Sequence, residues 1–199
     1  MNNWKKRLFD VILSAFGLIL ALPIFLVISL AIIIDSPGPV LFVQERVGQF
    51  GKPFKILKFR TMKDQQTGSF LTRARDARVT KVGRFLRKTK LDELPQLINV
   101  LKGDMSFVGP RPEVPYFVKH YTLEQREILH AKPGITDLAS IEYRNESELF
   151  SGHEDTEVLY LNTIMPKKIE LNKRYLENMT LSADIKIIIK TISTLLGGS

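Results

Sequence analysis

The sequence predicts an α+β, mainly helical fold: a membrane-embedded N-terminal helix followed by one small domain with a short β-hairpin and interfacial helices. Three observations carry this. Val11 to Ile34 is almost wholly apolar and free of charge, two short β-prone runs follow it across paired glycines, and helical periodicity dominates the rest. With 199 residues there is room for a single compact domain beyond the membrane segment, and no internal repeat divides it. The expected division is residues 1–36 as anchor and 37–199 as the second domain.

As one continuous helix the apolar run would be ~36 Å long, enough to cross a bilayer. Pro23 lies near its middle and invites a break. Basic residues flank it on both sides: Lys5, Lys6 and Arg7 before, Arg46, Lys52, Lys55, Lys58 and Arg60 after. A spanning helix would violate the positive-inside preference at one end. A re-entrant helix-break-helix that enters and leaves the same leaflet satisfies it at both, and is the expected form. The run is longer than a signal-peptide h-region, and Asp35-Ser36-Pro37-Gly38 offers no small-x-small cleavage pattern, so the segment is expected to stay.

Val40 to Val43 and Phe54 to Phe59, separated by Gly48 and Gly51, read as a hairpin. Ala77 to Arg87, Leu91 to Lys102, Leu123 to Ala131 and Met165 to Glu177 read as helices, with loops at Lys132 to Thr136 and Tyr143 to Asn145. In the tail, Ile185, Ile187, Ile188, Ile189, Ile192, Leu195 and Leu196 alternate unevenly with Lys186 and Lys190. Both an interfacial helix with snorkelling lysines and an ordinary core helix fit that pattern.

A net charge of +8 and a pI near 9.7 imply an anionic partner. Nucleic acid is disfavoured by the lack of an aromatic-interleaved basic strand or zinc-finger spacing. The absence of cysteine fits a reducing compartment and excludes thiolate metal sites. His120, His130 and His153 lack metal-ligand spacing and are expected at the surface. No Walker A loop, dinucleotide glycine fingerprint or G-x-S-x-G elbow is present.

The segment from Leu91 to Pro112 concentrates the chemistry. Leu94, Leu97, Ile98 and Leu101 mark one helix face, Gly103 is a natural stop, and Pro95 fits only near the helix start. Asp92 and Glu93 therefore fall in or beside the first turn, where the macrodipole favours anions. In Gly109-Pro110-Arg111-Pro112 two prolines restrict one guanidinium, an arrangement suited to a diphosphate.

These motifs resemble the small monotopic phosphoglycosyl transferases, the bacterial sugar transferases. The likeness runs nearly end to end: Lys6-Arg7-Leu8-Phe9-Asp10, Gln44 to Gly48, Phe54 to Met62, Leu91 to Pro112 and Lys132 to Thr136. It implies transfer of a phospho-sugar from a UDP-sugar to polyprenyl (undecaprenyl) phosphate at the bacterial inner membrane, with the catalytic domain facing the cytoplasm. It further implies Asp92 as nucleophile, through a covalent aspartyl-phosphosugar, and Glu93 as its helper. Asp92 and Glu93 are then the Mg²⁺ ligands, and Arg111 lies at the substrate phosphate. Lys58, Arg60 and Arg87 are further candidates for phosphate contact, each otherwise a solvated surface charge. Thr136, Arg144 and Asp184 are candidates for shaping the sugar or nucleotide site, their alternatives being loop capping and helix-end electrostatics. The chain departs from the family pattern at Leu22, Val47, Lys90 and Asp137-Leu138-Ala139-Ser140, and the last leaves the sugar open. The rival reading is a non-catalytic, membrane-tethered basic module that binds anionic lipid or nucleic acid.

Overall fold

In the computed structural model, which describes residues 3–63, 70–73, 76–151, 153 and 155–197, the apolar run lies within one helix, α1 (Asn3–Asp35). The expected break is absent, and the helix continues through Pro23. Proline fixes φ at a helical value and removes a single donor, so a helix held by neighbours on both sides of it can continue. Asp10, Ser14, Ala21, Ile28 and Ile32 form its buried stripe at helical spacing, while Ile12, Phe16, Ile19, Leu22, Leu26, Leu30 and Ile33 are exposed. Among the described residues it is the one helix long and apolar enough to cross a membrane.

The hairpin is present as β1 (Leu41–Val47) and β2 (Pro53–Phe59), antiparallel, with Leu41 opposite Phe59 and Val47 opposite Pro53. Helix α2 (Lys81–Thr89) begins later than its periodicity suggested, because Thr80 caps it by accepting the Gly83 N–H at 2.9 Å. The helix expected over Leu91 to Lys102 is divided. Pro95 has no N–H to offer the Leu91 carbonyl, which is bonded by the Leu94 N–H at 3.2 Å instead. A tight 3₁₀ turn, Leu91–Glu93, therefore precedes α3 (Gln96–Lys102). Gly103, at φ 96°, ends α3 by donating to the Asn99 and Val100 carbonyls.

A parallel pair that the sequence did not suggest follows: β3 (Ser106–Val108) beside β4 (Gly134–Thr136). Gly109 and Gly134 cross so closely that a Cβ on Gly134 would lie 2.2 Å from the Gly109 nitrogen. Between the strands run α4 (Pro115–Val118) and a 3₁₀ segment, Gln125–His130, where an α-helix from Leu123 was expected. Then come α5 (Leu138–Glu142), α6 (Glu146–Leu149), α7 (Thr156–Leu159), α8 (Met165–Glu177) and α9 (Leu181–Leu195). Phe117, Tyr160, Ile164 and Ile169 form the largest core, joining α4 to α8.

Helix α9 combines both readings of the tail. Ile187 packs against Val108 and Tyr175, whereas Ile185, Ile189, Ile192 and Leu196 are exposed on the other side. The two ends of α1 are fastened to the same domain. At the first end Lys6 pairs with Asp184, Arg7 donates to the Val100 carbonyl at 2.6 Å and the Leu101 carbonyl at 2.8 Å, and Asp10 accepts from Ser106 and the Phe107 N–H, each at 3.1 Å. At the other end Asp35 accepts the Val82 N–H at 2.9 Å, and Phe25 meets Phe59 edge-on.

Candidate active site

Lys90 takes a left-handed conformation (φ 58°) between α2 and the 3₁₀ turn, which directs Asp92 and Glu93 inward; both are buried. The two carboxylates meet opposite surroundings. Glu93 is clamped: its Oε1 accepts Lys58 Nζ at 3.0 Å and Arg111 Nη2 at 2.5 Å, and Oε2 faces Arg111 Nη1 at 3.4 Å. Burial works against its charge, but Arg111 and Lys58 outweigh burial and hold the carboxyl well below the usual range. Asp92 has no such clamp. Its buried Oδ1 has no hydrogen-bond partner, and burial together with the charge of Glu93 pushes its carboxyl above the usual range.

Arg111 is positioned from three sides. Asp137 Oδ2 accepts its backbone N–H at 3.0 Å, Arg46 Nη1 holds the neighbouring Pro112 carbonyl at 3.1 Å, and Glu93 engages its guanidinium. Asp137 is fully buried and also caps α5 by accepting the Ser140 N–H at 2.5 Å. Neither positioning role was anticipated. An Asp at a helix start is a readable cap signal, but its second bond spans 26 residues and has no local trace.

Lys58, from β2, and Arg87, from α2, join the dyad. Arg87 donates through Nε to the Thr61 hydroxyl at 2.9 Å, and its charge opposes the upward shift of Asp92. Lys58, Arg87, Lys90 and Arg111 thus act on two carboxylates, leaving cationic charge in excess. Arg60 lies elsewhere: it is buried and donates to the Ser36 carbonyl at 2.6 Å and to that of Pro37, clasping the end of α1. Asp184 is also apart, paired with Lys6 and accepting the Tyr175 hydroxyl at 2.5 Å. Thr136 and Arg144 line a cleft of about 230 Å³ that Lys90, Glu93 and Arg111 also border. The three histidines are exposed as expected.

No group of three or more His, Cys, Asp or Glu is gathered among the described residues. Two adjacent carboxylates suit a cation that draws its remaining ligands from substrate phosphate and water, which is how Mg²⁺ is commonly held. The unpartnered Asp92 oxygen is the observation that fits such an ion.

A family model described as bacterial sugar transferase matches residues 1–198. The chain is 41% identical over 198 residues to the UDP-glucose:undecaprenyl-phosphate glucose-1-phosphate transferase of Escherichia coli, an alignment covering 96% of this chain and 40% of that protein. It is also 41% identical over 197 residues to the transferase of the same name from Caulobacter vibrioides, covering 96% of this chain and 70% of the relative. A third relative, the UDP-N-acetylgalactosamine-undecaprenyl-phosphate N-acetylgalactosaminephosphotransferase of Aeromonas hydrophila, is 37% identical over 198 residues, covering 97% of this chain and 44% of its own. The chain therefore spans less than half the length of two of these three relatives.

Proposed function

Because the chain belongs to the bacterial sugar transferase family, we propose that it moves a phospho-sugar from a UDP-sugar to undecaprenyl phosphate at the cytoplasmic face of the inner membrane, by way of an aspartyl-phosphosugar on Asp92. The observation that carries this reading is the contrast within the dyad: a clamped Glu93 beside an Asp92 oxygen with no partner.

An attacking carboxylate is repelled by a diphosphate, so the site must first supply positive charge. Lys58, Arg87, Lys90 and Arg111 provide it without neutralising Asp92 directly. Glu93 holds Arg111 and Lys58 in place, and Arg111 offers a planar fork to phosphate oxygens. In the first step an Asp92 oxygen bonds to the β-phosphorus, the bond to the bridging oxygen breaks, and UMP leaves with its electron pair. In the second an oxygen of the lipid phosphate attacks the same phosphorus, and the Asp92 carboxylate is released as polyprenyl diphosphosugar forms. The free Asp92 oxygen, with Glu93 beside it, would hold Mg²⁺, which would supply further charge neutralisation.

The two-ended attachment of α1 supports one-sided insertion. Lys6 and Asp35 stand near opposite ends of the helix, yet both bind the same domain. A straight span would place these contacts on opposite sides of ~30 Å of hydrocarbon. With α1 immersed along its exposed apolar face, the dyad sits where a lipid phosphate can reach it.

Incubating the purified protein in lipid with Mg²⁺ and β-³²P-labelled UDP-glucose or UDP-N-acetylgalactosamine, without acceptor, tests the covalent step. Label is expected on the peptide containing Asp92, with matching UMP release. UMP release that requires acceptor, with no label trapped, would establish direct transfer in a ternary complex. Inactivity toward all sugar nucleotides with membrane binding intact would favour the non-catalytic module.

A further inference from the structure

The cleft beside the dyad has a mostly apolar exposed lining. Leu94, Leu97 of α3, Phe107 of β3, Ile135 of β4, Ile141 of α5 and Leu195 of α9 contribute to it, beside Lys90, Glu93, Arg111 and Arg144. Its threonines are already engaged. Thr191 donates to the Ile187 carbonyl at 2.8 Å and shares a 2.7 Å hydrogen bond with Thr136, and Thr194 donates to the Lys190 carbonyl at 2.8 Å. Of the lining hydroxyls, that of Ser140 is buried and lacks a partner.

Its position is as informative as its lining. Leu97 reaches from the cleft wall to α1, where a Cβ on Gly17 would touch it at 3.3 Å. On the other side, α9 contributes Thr191, Thr194 and Leu195 to the cleft, while Ile185, Ile189, Ile192 and Leu196 are exposed. The cleft is therefore lined in part by α9 and connects through Leu97 to α1, and both helices present bare apolar surface. Lys90 and Arg111 border it and offer cationic charge next to the dyad.

Resting on the transferase reading above, we propose that this cleft receives the first isoprenyl units of the lipid acceptor, whose phosphate meets Lys90 and Arg111. The sugar nucleotide then approaches the dyad from outside the cleft. The acceptor is thus recognised by the chain next to its phosphate as well as by the phosphate itself.

Ile141→Trp and Leu195→Trp, each filling the cleft, test this in the full chain reconstituted in nanodiscs. The probes are undecaprenyl phosphate and UDP-glucose or UDP-N-acetylgalactosamine, whichever the wild type turns over. The acceptor KM is expected to rise tenfold or more while the donor KM changes less than twofold and label trapped on protein without acceptor is unchanged. A raised donor KM with an unmoved acceptor KM would overturn the assignment, as would no change in either. Should these variants fail to fold, a prenyl phosphate carrying a diazirine on its first isoprene can be photolysed on the wild type. Labelled peptides containing Phe107, Ile135, Ile141 or Leu195 are expected, and label confined to α1 would refute the cleft as the site. Because photolabelling needs no turnover, inactivity on every UDP-sugar would count against the transferase reading while this arm still decides the cleft.

Discussion

Two buried acidic sites in this molecule are built in opposite ways. At the first end of α1, Asp184 is saturated: Lys6 neutralises it and Tyr175 donates to its other oxygen. At the dyad, Glu93 takes the direct ion pairs and Asp92 keeps an oxygen without a partner. A buried charge that is fully paired holds structure in place. One left unpaired among cations at arm's length is destabilised in the resting protein and available to react.

The sharpest way to break this contrast is to neutralise each carboxylate in turn. Asp92→Asn is expected to reduce UMP release by on the order of 10⁴-fold or more, while the melting temperature holds or rises because an unpaired buried charge is gone. Asp184→Ala reverses the pattern. It leaves the half-buried Lys6 without its ion-pair partner and the Tyr175 hydroxyl without its acceptor, and is expected to lower unfolding stability by ~1–3 kcal/mol in denaturant titration, with folded molecules keeping most of their turnover.

Smaller effects sharpen the contrast within the dyad. Arg111→Lys replaces a planar fork with a point charge, and kcat/KM for the UDP-sugar is expected to fall by ~10²-fold in steady-state assays. Asp137→Ala frees the Arg111 N–H and uncaps α5; stability should drop by ~1–3 kcal/mol, with a loss of turnover at saturating donor that outweighs any change in KM.

The smallest expected effect is in pH dependence. The proposed nucleophile must be ionised and burial raises its pKa, so the acid limb of kcat/KM should lie above the ~3.9 of an ordinary Asp. Arg87 opposes that rise, so Arg87→Gln should move the limb further up in a pH–rate profile. Stability runs with two signs. Glu93, with its lowered pKa, contributes stability at neutral pH that is lost as pH falls through the acid range. Asp92, with its raised pKa, contributes stability when protonated that is lost as pH rises.

What could be read from the sequence follows the range of the interactions. The apolar length of α1, the β-prone runs of β1 and β2, and the helical stretch of α8 are local signals; β2 and α8 formed close to their expected places, while β1 runs on past the expected Val43 to Val47. Strands β3 and β4 are three residues each, too short to carry a period, and depend on glycines that only the crossing at Gly109 and Gly134 explains. Of the candidate cations, Lys58, Arg87 and Arg111 do gather at the dyad. Arg60 is bonded instead to the two residues that follow α1, and Asp184 is paired with Lys6 within it, through contacts 23 to 178 residues apart that no spacing reveals. Pro23 misled in a simpler way, since a proline permits a break without imposing one.

Lys58, Phe59 and Arg60 join three parts of the molecule within one short stretch of backbone. The first grips Glu93, the second packs under α1, and the third clasps the carbonyls where that helix ends. At ~3.3 Å per residue, only about 7 Å of backbone separates the residue that clasps the end of α1 from the one that grips the dyad. Cutting the helix away would therefore slacken the very scaffold that arms the acid pair, so a truncated, water-soluble fragment should work poorly even on a short-chain acceptor that needs no bilayer.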